Sequence, residues 1–378
     1  MKLGIDNIEK YLKFFHGKRV GLITNPTGIT SNFRSTIDVL KEQTNLVCLF
    51  SAEHGVRGNL QAGVELDTYI DEEYNIPVYS LYGDTRKPTK EMLDQIDILC
   101  IDMQDGGSRF YTYIYTMAYS MIACAEQSKE FFVFDRPNPI NGTDVDGNML
   151  DIEYRSFIGY YPIIQRHGLT MGELATYFNN EFEINCNLTV VPMDGWDRHK
   201  FIDEINVPWV SPSPNYPTVN TGLLYNGLCI FEGTNISEGR GTTLPFEVCG
   251  APFINPKELA EKMNALKLPG VAFRPTYFIP TFSKWANEVC GGVQAHVTIR
   301  SRFLPVHVGW ALLDTIRHTY PNDFKINPPY KESGKKMLEL NTGCDYIVKD
   351  TYTLEQQLEI LKKDTRTFIQ KRAKYLMY

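Results

Sequence analysis

Carboxylates, guanidinium groups and amides recur in this chain wherever an apolar run ends. Thr24-Asn25-Pro26-Thr27-Gly28 closes the first run, and Glu53-His54-Gly55-Val56-Arg57-Gly58 follows the second. Asp102-Met103-Gln104-Asp105-Gly106-Gly107-Ser108-Arg109 and Asp135-Arg136-Pro137-Asn138-Pro139 repeat the arrangement. Glu232-Gly233-Thr234-Asn235 and Ser237-Glu238-Gly239-Arg240-Gly241-Thr242 repeat it again. Two carboxylates flanking one bond are the equipment of glycoside hydrolysis, in which one protonates the leaving oxygen and the other supports the cationic centre or its attack. Glu53 comes directly off an apolar run, where burial can raise a carboxyl pKa as a general acid requires. The competing reading makes it a partner of Arg57 or a helix cap. Asp102 either pairs with Asp105 or anchors backbone donors in its turn. Asp105 is the better site candidate, because Gly106 and Gly107 permit close approach of a ligand. Of Glu232 and Glu238, one can instead be a structural partner of Arg240.

Arg57, Arg109, Arg166 and Arg240 bring more positive charge to these loops than a neutral sugar would need. A planar guanidinium fork suits an anionic substituent, although each arginine could instead serve an internal carboxylate. The candidate contacts are completed by Asn25, His54, Tyr111 and His167. Aromatic residues such as Phe110, Tyr113, Tyr154, Tyr160, Tyr161, Tyr216 and Tyr225 divide between core and sugar-stacking positions. The histidines have no metal-ligand spacing, so neither a metal nor a cofactor is expected.

These groups must be positioned by the elements that precede them. Strands are expected at Arg19–Thr24, Leu46–Ser51, Val78–Leu81, Ile98–Met103, Phe131–Phe134, Leu188–Val191 and Leu228–Phe231. Most are continuous apolar runs, as in a parallel sheet buried on both faces, and ligands gather outside the carboxyl ends of such strands. Helices are expected at Tyr113–Glu126 and from Leu169, where Thr170 and Glu173 form a capping box. Pro208–Pro217 reads as a loop. Beyond Pro252 the pattern changes, with a helix near Pro256–Leu266, strands at Phe273–Pro280 and Val293–Ile299, and helices near Val308–Thr319 and Leu354–Lys374. The expected organisation is an α/β domain over residues 1–250 and a smaller α+β domain over residues 251–378.

The net charge of -7 over 378 residues offers no basic face for nucleic acid or an anionic membrane. Eight cysteines stand singly, several inside apolar runs, as buried thiols do. Met1-Lys2-Leu3-Gly4-Ile5-Asp6-Asn7 turns polar at once, so no secretory signal is expected, and the apolar stretches stay far below the roughly 20 residues needed to span a bilayer, so no membrane span is expected either. The absence of GxGxxG after the first strand, and of GxxxxGK[ST], HExxH and GxSxG, argues against nucleotide, zinc-protease and serine-hydrolase chemistry.

Taken in order, Gly21–Gly28, Glu53-His54-Gly55, Asp102–Tyr113 and Asp135–Pro139 resemble one bacterial family, the exo-β-N-acetylmuramidases, long catalogued as a domain of unknown function. The likeness continues through His167–Glu173, Glu232–Thr242 and Cys290–His296. It implies a Rossmann-like first domain, a smaller second domain, an active cleft between them, and release of N-acetylmuramic acid from non-reducing ends of peptidoglycan fragments during cell wall recycling. The lactyl carboxylate of that sugar would explain the arginines. Family members commonly act outside the cytoplasm, which implies export if a leader preceded Met1; as the chain stands, the cytoplasm is expected. In this reading Glu53 is the acid, and the second group is Asp105, Glu238 or the substrate's own 2-acetamido oxygen. The alternative is a non-catalytic binder of muropeptides or related acidic sugars.

Overall fold

Residues of the central strands of the main sheet enter apolar cores on both of its faces. The computed structural model describes residues 1–53, 55–57, 68–83 and 85–378. In it β1 (Arg19–Thr24), β2 (Asn45–Ser51), β3 (Tyr69–Asp71), β4 (Ile76–Ser80), β5 (Ile98–Asp102), β6 (Glu130–Phe134) and β7 (Asn187–Val191) form one sheet in the order β3-β4-β2-β1-β5-β6-β7. Every pairing is parallel except β3 with β4. Leu99, Ile101, Phe131 and Val133 pack under the helices Tyr113–Glu126 and Met171–Glu181, while Ile98, Cys100, Phe132 and Phe134 pack with the N-terminal 3₁₀ turn Gly4–Tyr11 and the helix Thr36–Gln43. This two-sided burial is why the strands read as unbroken apolar runs. The Thr170 and Glu173 capping box is present as expected.

A second sheet of β8 (Val248–Ala251), β9 (Val271–Phe278) and β10 (Cys290–Val297) is antiparallel with β10 central. The helices Pro256–Ala265 and Pro305–Thr319 lie in the same half. All eight cysteines are free and buried, and burial pushes the Cys48 and Cys186 thiols up to about 12.

The strand expected at Leu228–Phe231 is instead the end of a helix, Val219–Leu228, running into a 3₁₀ turn, Cys229–Gly233. A short apolar run cannot by itself distinguish a buried strand from a helix buried on all sides. Here the helix packs against Pro305–Thr319 through glycines: a Cβ on Gly227 would lie 2.0 Å from the Pro305 carbonyl oxygen.

The two halves are also tied together across the chain. Arg109 donates to the carbonyls of Asn341 and Thr342, and buried Arg372 donates to those of Gly142, Thr143, His167 and Gly168. The Tyr378 hydroxyl reaches Asp135 at 2.7 Å.

Candidate active site

The crevice where the strand order reverses, outside β1 and β5, is occupied by the chain itself. Arg136 and the Thr36 hydroxyl both bond to the Asp102 carboxylate. Asn25 Oδ1 accepts the Thr27 N–H at 3.0 Å, and the Thr27 hydroxyl accepts the Gln104 N–H at 2.8 Å. The open space lies to one side, above the exits of β2 and β4 and facing the second half. It is a cleft of about 1140 Å³ with a smaller recess of about 60 Å³ behind it, and Glu53, Phe110, Thr112, Asn215, Tyr225 and Arg240 line both.

Glu53 stands just past β2 and is partly buried. Thr112 occupies the N-cap of the helix Tyr113–Glu126 without bonding to its own helix; its hydroxyl donates to Glu53 Oε2 at 3.1 Å. Among the described residues Glu53 has no basic partner. Tyr111 lies edge-on to Tyr113, Tyr216 and Tyr225, with centroids 5.0–6.0 Å apart, and forms an aromatic wall behind the recess. The loop of residues 208–217 is pinned by the Ser211 hydroxyl and the Trp209 indole, and offers Asn215 to the cleft.

Opposite stands a chain of alternating charge. Arg240 bonds to Glu232 at 2.6 Å, lies 3.4 Å from Glu238 Oε1 and sits over the Phe246 ring. These carboxylates raise its already high pKa against the opposing effect of burial. Lys284 Nζ is 2.6 Å from Glu238 Oε2, close but poorly aligned for a hydrogen bond, while donating to the Phe231 and Thr234 carbonyls. Gly239 and Gly241, at φ +84° and +82°, flank Arg240; a Cβ on Gly241 would meet the Phe282 carbonyl oxygen at 2.7 Å. Ser283 and Trp285, on either side of Lys284, are also held at positive φ, a strain of about 1–3 kcal/mol each.

The structure thus brings Glu53, Glu232, Glu238 and Arg240 to one cleft, with Tyr111 on its inner wall. It does not bring the other described candidates there. Asp105 is buried, accepts the Gly107 N–H at 2.7 Å and lies 3.4 Å from His167 Nε2. His167 is fully buried, and Asn25 belongs to the network behind the crevice. Arg109 is spent on four backbone carbonyls, and burial pulls its pKa down to about 10. Arg166 is likewise buried, on the Ile140 and Phe303 carbonyls and Asp144. Arg57 pairs with Asp71 and Glu73. His54 lies outside the described residues. The sequence reading passed over Arg86, Phe157, Lys284 and Tyr330, which also line the cleft. Arg86 follows the β4 exit by a few residues, so the same exit rule carried further would have reached it. Nothing local marks Lys284.

Comparison with known proteins covers the whole chain. The N-terminal model of Exo-beta-N-acetylmuramidase NamZ matches residues 20–220, and the C-terminal model matches residues 223–378. The chain belongs to the NamZ exo-β-N-acetylmuramidase family. The second NamZ model begins ahead of residue 250, where the sequence pattern changes. The peptidoglycan beta-N-acetylmuramidase NamZ of Bacillus subtilis (strain 168) is 48% identical, over 100% of this chain and 91% of that protein. Two crystal structures of DUF1343 family proteins from Bacteroides fragilis NCTC 9343 superpose with TM-scores of 0.92 and 0.78, at 37% and 31% identity, each over 100% of this chain and 98% of its own.

Proposed function

We propose that this protein is an exo-β-N-acetylmuramidase acting on peptidoglycan-derived saccharides, with Glu53 as its proton donor. Full-length identity to the NamZ of Bacillus subtilis supports the activity. The residue assignment rests on one observation: alone among the described carboxylates of the cleft, Glu53 has no basic partner among the described residues, and its carboxylate accepts from the Thr112 hydroxyl. Glu53 protonates the leaving glycosidic oxygen. Glu238, held between Arg240 and Lys284, or the sugar's own acetamido oxygen, supports the oxocarbenium-like centre. Tyr225 and Phe110 offer apolar faces to the ring. No helix among the described residues is long and apolar enough to cross a membrane.

The test is turnover of a β-N-acetylmuraminide beside the matching β-N-acetylglucosaminide. Release of N-acetylmuramic acid, with the glucosaminide much the slower, is the expected result. Tight binding of the muraminide without turnover would instead favour a saccharide-binding protein.

A further inference from the structure

The charges of the cleft do not pair evenly. Among the described residues it presents the carboxylates Glu53, Glu232 and Glu238 and the cations Arg86, Arg240 and Lys284. Arg240 and Lys284 are taken up by Glu232 and Glu238. Two groups remain over, Glu53 and Arg86. Arg86 has no carboxylate partner among the described residues, and its guanidinium lies 4.4 Å over the Phe157 ring. That ring is itself held in place, stacked on Tyr119 at 5.9 Å and tilted against Tyr82 at 6.4 Å. An arginine resting on an aromatic face is oriented by it, while its N–H edges stay available as a planar fork matched to a carboxylate. Among the described residues the cleft therefore holds an oriented cation and an acid, neither of them committed to a counter-ion.

We propose that Arg86, seated on Phe157, determines specificity by binding the lactyl carboxylate of the muramic sugar, a role that rests on the glycosidase reading above. It replaces the four arginines singled out by sequence. Arg109 and Arg166 are buried away from the cleft, Arg57 is paired outside it, and Arg240 is engaged with glutamates. A neutral sugar at this position leaves Arg86 without its anion, so selectivity comes from the missing contact as much as from the bond formed. A hydrogen bond to a charged group corresponds to roughly 10–150-fold.

The experiment compares kcat/KM for a peptide-free disaccharide bearing N-acetylmuramic acid at its non-reducing end with that for the methyl ester of the same lactyl group. The disaccharide has no other acid, so the ratio isolates this carboxylate. Wild-type enzyme is expected to prefer the acid by roughly 10–150-fold. Arg86→Leu should lower that ratio by about tenfold or more, chiefly through KM if the carboxylate is held equally in ground and transition states, and Arg86→Lys should restore part of it. Equal wild-type rates on acid and ester overturn the proposal, as does an unchanged ratio in Arg86→Leu or a ratio that collapses only in Arg240→Leu. Failure of the wild-type enzyme to cleave either form would overturn the glycosidase reading itself, a distinct result.

Discussion

Two collections of charged residues lie within one molecule and behave oppositely. Behind the carboxyl edge of the main sheet, Asp102, Asp105, Arg109, Arg136, Arg166 and His167 are all buried. Each guanidinium there finds its partners among the chain's own carbonyls and carboxylates. Across the cleft, Glu53, Arg86, Glu232, Glu238, Arg240 and Lys284 border about 1140 Å³ of open space, and two of them have no counter-ion among the described residues. The same residue types thus serve as internal struts in one region and line open space in the other. The difference teaches that an arginine near a strand exit says little until its partners are known, because a buried guanidinium must be satisfied internally whereas one bordering open space need not be.

This contrast can be broken most sharply at Glu53. Glu53→Gln should lower kcat/KM on a natural disaccharide by roughly 10²–10⁴-fold, the usual contribution of a general acid, with little change in the thermal unfolding midpoint. A variant keeping more than about half of wild-type turnover on that poor leaving group would sink the assignment; an activated aryl glycoside would mask the defect.

Arg109 should behave the other way. Arg109→Leu strands the carbonyls of Asn148, Asn341 and Thr342, which span both halves of the molecule, and leaves that of Ile163 with only the Leu150 N–H. At about 1–3 kcal/mol for each buried group left unpaired, partly relieved by water, a loss of about 3 kcal/mol or more is expected in urea denaturation. The folded fraction should retain activity within about tenfold. Intact stability with activity lost would move Arg109 into the cleft group.

The smallest expected effect sharpens the comparison within the buried set. Burial raises the Asp135 carboxyl from 3.8 to about 7, against the opposing hydrogen bonds from Gly172, Tyr378 and Thr170. Between those values the folded protein keeps a proton that the unfolded chain has lost, so this group makes stability fall as pH rises through that window and level off above it. Asp135→Asn should therefore flatten the decline in urea midpoint between pH 5 and pH 8. An unchanged slope would show that Asp135 is ionised throughout.

Much of this arrangement was legible before folding was considered. The β1 limits, the helix Tyr113–Glu126 and the Thr170 cap follow from local pattern, since continuous apolar runs and capping chemistry are properties of neighbouring residues. Glu53 was legible for the same reason, standing at the end of such a run. The helix Val219–Leu228 was not, because its uniform burial removes the polar face that reveals a helical period.

By itself the sequence determined the alternation of strands and helices, the placing of polar groups at their exits, and membership in a recognisable family. Which charges meet was decided only by tertiary structure. Arg109 finds Thr342 across 233 positions and Arg166 finds Phe303 across 137, whereas Arg86 finds no carboxylate among the described residues. Such partnerships depend on how the two halves pack, and a side chain's desolvation and pairing are fixed by that packing rather than by its neighbours in the chain.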